Sequence, residues 1–372
     1  GRNNYYQLGL NNSIDQQTFV VSDITDVVDV CCANDWAMVL LRDGTVRTIG
    51  YNNYGHLGSG NTTNQQSWTI SPITNVYKIA SGTSHTVALK NDGTVWTVGY
   101  NNYGQLSNGG TSNVYTWTEV NYNSIPRDIS ATIIDISAAS YKTIIMVEQN
   151  NIKRGYFCGY GYYGQNGRAN QGSDDNFSKF ELMTYPTDTV GAKQIVCGAA
   201  HNLVLLEDGN VYAQGYFNNI GTSYQSGNYG QPSWWASIGE SDVVDIACGW
   251  NFSMVMLNSG TVKVAGYNNH GQLGLGHTTH QSAWTVTHSS ATALFAGGYN
   301  SLIFDGSDIF ISGDNDYGQC GTNLKPTDAL AWAIPHYPTV NDVFYGVNSG
   351  YCKSLSSVNL LNADTITSIS IT

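Results

Sequence analysis

A chain of 372 residues with 41% hydrophobic content and 41 Gly against 7 Pro can bury a large core and is no low-complexity polymer. Only 11% of residues are charged, and 15 Lys and Arg against 27 Asp and Glu give a net charge of -12, which repels phosphate backbones and removes counterion release as a source of nucleic-acid affinity. The sequence contains no apolar run long enough to cross a bilayer and no visible leader, so membrane insertion is not expected, and a start at Gly1 rather than Met leads us to expect a mature fragment or an ordered portion.

Along the chain one motif recurs. It is Gly50-Tyr51-Asn52-Asn53-Tyr54-Gly55-His56-Leu57-Gly58, again at Gly99 to Leu106 and at Gly266 to Gly274, with weaker copies from Gly1, Gly159, Gly215 and Gly313. These seven anchors are separated by 49, 49, 60, 56, 51 and 47 residues, so seven units fill the sequence. An aromatic residue follows each anchor by 18 to 21 positions: Phe19, Trp68, Trp117, Phe180, Trp235, Trp284 and Trp332. We read these as repeated packing residues, buried at equivalent places.

Within a unit the best copy is Val76 to Gly82, then His85 to Lys90, a break at Asn91-Asp92-Gly93, and Thr94 to Gly99. The runs alternate or are β-branched, and Asp-Gly between two of them marks a tight hairpin. A further strand around each repeated aromatic makes four short antiparallel strands per unit. Seven such units closing on themselves predict an all-β, seven-bladed β-propeller over residues 1–362. The termini share a blade: strands near Phe344 to Asn362 would pair with the segment at Phe19, closing the ring and removing the sheet edge. Residues 363–372 still alternate as a strand and suggest a link to a further domain or to other subunits of an assembly.

The anchor motif, the His-Thr-Val-Ala-Leu run and the Asp-Gly-Thr-Val hairpin resemble the regulator of chromosome condensation repeat family, over all seven units. The resemblance implies a seven-bladed propeller. Its members include an exchange factor for a small GTPase, an inhibitor of β-lactamase, and bacterial and viral proteins of unassigned role, so it implies no single activity. The chain departs from the nuclear member by lacking a basic amino-terminal tail and by the sign of its charge, and most units have the aromatic where the family has Pro.

Catalysis has no visible candidate: no Gly-x-Ser-x-Gly, phosphate-cradling loop or His-Glu-x-x-His occurs. His85 and His201 share a repeat position occupied elsewhere by Trp36, Lys142, Phe252, Asn300 and Ser349, which argues for structure. His277 and His280 have no third ligand in sequence, and the acidic stretch 172–176 lacks calcium-loop spacing, so no metal or cofactor is expected. The seven Cys are expected free. Cys32, Cys197 and Cys248 fall at one repeat position as small apolar residues, and no zinc spacing is present.

These features point to a non-enzymatic binding module, for which few charges and many Asn, Ser, Thr, Gly and Tyr suggest an extracellular or virion surface such as a phage tail or fibre, with a protein or cell-surface glycan as partner. The alternatives are a cytoplasmic scaffold docking a small GTPase or other protein, and an enzyme inhibitor. Extra chain length gathers on adjacent units, where Tyr122, Arg127, Lys153, Arg154 and Tyr185 form the expected partner-binding patch. Tyr5, Tyr54, Tyr103, Tyr163 and Tyr317 recur around one rim and offer a second surface, of the kind sugar and antibody sites use.

Overall fold

A computed structural model describes residues 1–120, 122, 131–165, 176–183, 191–216, 236–323, 327–335, 346–347 and 351–352. The described residues form an all-β propeller built from four-stranded antiparallel meanders. Blade 1 consists of β1 (Val27–Ala33), β2 (Trp36–Leu41), β3 (Val46–Gly50) and β4 (Gln65–Ser71). Blade 2 has β5 (Val76–Ser81), β6 (His85–Lys90), β7 (Val95–Gly99) and β8 (Val114–Glu119); blade 3 has β9 (Thr132–Ala139), β10 (Lys142–Gln149), β11 (Ile152–Gly159) and β12 (Phe177–Leu182). Blade 4 comprises β13 (Ala192–Cys197), β14 (His201–Leu206), β15 (Val211–Gly215) and β16 (Ala236–Ser237). Blade 5 comprises β17 (Val243–Cys248), β18 (Phe252–Leu257), β19 (Thr261–Gly266) and β20 (Gln281–Ser289). Blade 6 comprises β21 (Ala293–Ala296), β22 (Asn300–Phe304), β23 (Ile309–Gly313) and β24 (Ala329–Ala333), and a hairpin of β25 (Gly346–Val347) and β26 (Tyr351–Cys352) follows.

Six four-stranded blades are therefore described, not the seven that the repeat count predicts. The seventh unit is divided between the two ends of the chain. Its amino-terminal part, residues 1–26, folds as turns around its anchor loop without a regular strand, and its carboxyl-terminal part is described only as the β25–β26 hairpin, beside β1. The amino-terminal segment still takes a blade's place in the ring, between blades 6 and 1. Asn323 N donates to Gln17 O at 3.1 Å, as Gly60 N does to Tyr115 O at 3.0 Å and Gly276 N to Leu330 O at 2.8 Å between complete blades. The expected pairing of residues 344–362 with the segment at Phe19, and the strand at 363–372, lie outside the described residues.

Alternation explains the layers. Side chains of one face of each sheet meet the opposite face of the next, so the core is a series of slabs between blades. Adjacent Cys31 and Cys32 point to opposite faces and enter different slabs, with Ala88 and Val39 among their respective neighbours. The six described cysteines are buried thiols in no disulfide, as expected, and the Cys352 side chain is not described.

The repeated aromatics close the outer part of these slabs. Phe19 and Phe180 are buried, whereas Trp68, Trp117, Trp284 and Trp332 are only half-buried and Trp235 lies outside the described residues. Full burial of the Trp series is thus corrected, because the fourth strand is the outermost of each blade and the indole lies over the junction rather than inside it. Where the preceding anchor loop is described, the indole rests on one of its glycines, Trp68 on Gly9, Trp117 on Gly58 and Trp332 on Gly274. Its N–H then meets a hydroxyl at the end of the preceding outer strand: Trp117 Nε1 donates to Ser71 Oγ at 2.8 Å, and Ser71 Oγ donates to Leu57 O at 3.1 Å. Trp332, Thr287 and Leu273 repeat the relay. At the Trp284 junction the hydroxyl position is taken by Ile238, and the buried indole N–H of Trp284 meets no acceptor among the described residues.

This difference gives a paired test. Trp117→Phe should cost about 1 kcal/mol more than Trp284→Phe, the net worth of one hydrogen bond, in denaturant unfolding of the two variants. Equal costs would show that the hydroxyl relay contributes nothing.

Candidate functional site

Each anchor loop begins where the third strand ends, at a glycine with φ between 101° and 122° in all six blades (Gly50, Gly99, Gly159, Gly215, Gly266, Gly313). A Cβ there would collide with the residue opening the second strand and the carbonyl before it, so only Gly permits the turn. The next residue donates its N–H to that carbonyl, as Tyr51 does to Asp35 and Tyr100 to Ser84. The buried Asn two places after the anchor staples the loop: Asn52 Oδ1 accepts from Leu57 N at 3.0 Å and its amide donates to Asn61 O at 3.0 Å. The Gln six places on accepts within its own loop, Gln105 Oε1 from Tyr103 N at 3.1 Å.

With the loops fixed, the positions one and four residues after the anchor are presented together on one face. Five of the seven units place Tyr at each. The two positions meet across blade boundaries: Tyr5 lies edge-on to Tyr51 with ring centres 5.1 Å apart, Tyr54 to Tyr100 at 5.0 Å, Tyr103 to Tyr160 at 5.0 Å and Tyr163 to Tyr216 at 5.5 Å. Tyr141 fills the gap between Tyr100 and Tyr103. These rings make an aromatic belt around this rim, from which Tyr54, Tyr162, Tyr163 and Tyr317 project into solvent at 37–44% exposure. At the boundary between blade 6 and the amino-terminal segment the pair becomes Arg2 over the Tyr317 ring at 5.3 Å.

Beneath the belt runs a buried polar layer. The second residue of a second strand donates to the preceding anchor loop: Thr86 Oγ1 to His56 O at 2.7 Å, Thr143 Oγ1 to Gln105 O at 2.8 Å and the Asn202 amide to Gln165 O at 2.6 Å. The first residue reaches forward to the following blade. His85 Nε2 lies 3.0 Å from Thr143 Oγ1 and, since that hydroxyl already donates to Gln105, acts as donor; His201 Nε2 lies 2.9 Å from Ser253 Oγ. Lys142 Nζ, fully buried, donates to His201 O at 2.8 Å and Asn202 Oδ1 at 2.7 Å, and burial pushes it down to about 8. Burial likewise holds His56, His85 and His201 at about 3. The shared repeat position of His85 and His201 is structural, as expected. His280 and His277 cap their own loop by accepting from Asn268 N and Thr279 N.

The inner strands of blades 2 to 6 line a central cavity of about 580 Å³. One repeat position of the inner strands contributes Lys78, paired to Asp135, with Gln194 and Asp245 further round. Asp29 holds the equivalent place on β1; burial raises its carboxyl to about 7 against the pull of Lys78 and the N–H groups of Ile79 and Val30.

Of the expected partner-binding patch, Tyr122, Lys153 and Arg154 are described. Tyr122 packs on the slab between blades 2 and 3, its Oη accepting from Val95 N. Lys153 pairs with Glu207 at 2.7 Å, and half-buried Arg154 stands opposite Val147 on β11. Arg127 and Tyr185 fall outside the described residues. The belt residues one place after the anchor were missed in sequence reading, although Gly-Tyr at Tyr51, Tyr100, Tyr160, Tyr216 and Tyr267 was the available signal.

A propeller whose blades are joined through such anchor loops defines the class of protein. Two family models described as Regulator of chromosome condensation (RCC1) repeat match parts of the chain, at residues 43–89, 92–146, 76–105, 192–219 and 243–272. Among curated proteins the chain is 32% identical over 153 residues to the mouse X-linked retinitis pigmentosa GTPase regulator, covering 39% of this chain and 15% of that protein. It is 25% identical over 194 residues to the Arabidopsis thaliana Ultraviolet-B receptor UVR8, covering 49% of this chain and 43% of the relative. The chain therefore spans less than half the length of these relatives. Among solved structures, yeast RCC1 (Prp20) bound to Kap60 superimposes with a TM-score of 0.72 at 15% identity, covering 90% of this chain and 82% of that one. Human WBSCR16 gives 0.66 at 19% identity, covering 80% and 78%. These likenesses show the fold.

Stability should fall in acid. The folded values of His56, His85 and His201 lie below the ordinary 6.5, so the unfolded chain takes up the additional protons. Their contribution is complete above pH 6.5 and is lost toward pH 3, by up to about 1.4 kcal/mol per pH unit for each imidazole. Unfolding free energies measured between pH 7 and pH 4 would show this slope, and His85→Gln should reduce it; a flat profile would contradict the neutral, buried assignment.

Proposed function

We propose that the chain is a non-enzymatic docking module that binds a protein partner through the tyrosine belt. The observation that carries this reading is the belt itself: paired rings held by glycine-fixed loops, with projecting Tyr beside exposed Asn53, Asn102 and Asn269 and few charges. Tyr supplies large contact area at low entropic cost, and pre-packed rings lower the cost further. The matched relatives include a protein named as a GTPase regulator, and a solved neighbour is described by its binding to Gsp1p and histones. They favour protein docking over the virion-surface reading, and a small GTPase is the first partner class to test.

A second reading places docking on blade 3, because β9, β10 and β11 run 8 residues each, longer than their counterparts, and carry Lys153 and Arg154 on a projecting hairpin. Arg127 and Tyr185 would extend that patch. The two surfaces separate experimentally. Retention on immobilised small GTPases, loaded with GDP or GTP, should fall about tenfold or more for Tyr162→Ala with Tyr163→Ala, at unchanged thermal midpoint. Loss in Lys153→Ala with Arg154→Ala instead would move the site to blade 3, and retention on a glycan array but on no protein would overturn the protein reading.

A further inference from the structure

The belt changes chemistry at one boundary. Between blades 5 and 6 the position four after the anchor is His270 instead of Tyr, and the position one after the next anchor is Asp314 instead of Tyr. A third position changes with them. The residue that accepts from the N–H of the loop Asn is Asn64 for Asn52 and Asn113 for Asn101, whereas in blade 6 it is Asp328, whose Oδ1 accepts from Asn315 N at 3.1 Å. That bond commits one carboxylate oxygen and leaves the other, Oδ2, 3.1 Å from His270 Nδ1. Asp314 is likewise half committed, since its Oδ1 accepts from Asp316 N at 2.9 Å. One ligand atom from each of the three side chains lies within 4.8 Å of the others, and all three residues are half-buried.

We propose that His270, Asp314 and Asp328 form a binding site for a divalent transition-metal cation, with zinc as the representative ion. In sequence no metal is expected because His277 and His280 lack a third ligand, and the present three residues are scattered along the chain, His270 standing 58 residues before Asp328. Folding removes that objection. Two carboxylates and one imidazole leave at least one negative charge unbalanced even with the ring protonated, and Arg2, which lines the same 210 Å³ hollow as Asp314, is engaged by Asp35 at 3.4 Å and by the Tyr317 ring. A divalent ion would balance it.

The donor set selects the ion. One imidazole nitrogen with two carboxylate oxygens suits zinc with an open fourth position, whereas calcium asks for six or more oxygens. Tetrahedral zinc separates its ligand atoms by about 3.3 Å, so the His270–Asp328 pair already has this spacing, and the Asp314 oxygen, within 4.8 Å of both, has to close the remaining gap. The backbone N–H groups on the remaining carboxylate oxygens orient the ligands, as outer-shell bonds do in zinc sites. Bound metal would join the fifth and sixth blades where the tyrosine pair joins others.

The chain stripped with chelator is titrated with zinc chloride, with calcium and magnesium chlorides as parallel probes, and read by calorimetry and thermal midpoint. One equivalent of zinc should bind and raise the midpoint, with no comparable effect of the other two ions. His270→Tyr restores the residue that most units carry here, so it keeps the fold while weakening zinc by at least about tenfold; Asp328→Asn should do the same, and His277→Ala, at an exposed loop histidine, should not. Zinc uptake by wild type no greater than by His270→Tyr, or uptake abolished by His277→Ala, would overturn the site.

Discussion

The fold depends on one close approach, where the anchor loop of a blade meets the second strand of its own sheet and the first residues of the next. The anchor glycine gives the chain the φ above 100° that turns it under the second strand, and that turn delivers the loop carbonyl to the hydroxyl or amide waiting on the following blade. Slabs of Val, Ile, Leu and Ala between sheets supply the apolar contacts but little direction; hydrogen bonds such as Thr143 to Gln105 and His85 to Thr143 set how neighbouring blades register. A propeller blade cannot bury both faces alone, so the geometry of the junction is the geometry of the molecule.

The same junction produces the proposed docking surface. Once the loop is fixed, the residues one and four places after the glycine must fall beside each other across blades, and whatever stands there becomes a rim. Tyr at both gives a belt of interlocked rings, Tyr317 with Arg2 gives a cation–π contact, and His270 with Asp314 gives a ligand set. A single backbone solution thus carries three chemistries, and the difference between packing and recognition lies in side chains that the loop presents outward.

Much of this was legible in the sequence because the repeat is exact at residues under backbone constraint. Gly50, Gly99 and Gly266 with their Asn partners marked the loops, Asp92-Gly93 and its copies marked the hairpins, and the aromatic after each anchor marked the fourth strand. Periodicity locates a residue in a blade but does not say how far it is covered, which is why the Trp series was expected buried and stands half-buried over glycines. It also says nothing about which positions meet across blades: Tyr54 and Tyr100 are 46 residues apart, and their pairing follows from ring geometry alone. The count of blades differed for a related reason, since the seventh unit is shared by both ends and its amino-terminal half forms turns rather than strands.

The account rests most directly on the anchor glycine, and one pair of substitutions tests it. Gly99 and Gly93 both have positive φ, at 113° and 79°, but a Cβ at Gly93 meets nothing within 4 Å while one at Gly99 runs into Ser84 O, His56 and His85. In equilibrium unfolding, Gly93→Ala should cost about 1 kcal/mol from backbone strain alone, and Gly99→Ala should cost at least about 2 kcal/mol more, because the loop must leave its seat between the blades. Equal losses for the two variants would contradict the claim that the propeller is held by this contact.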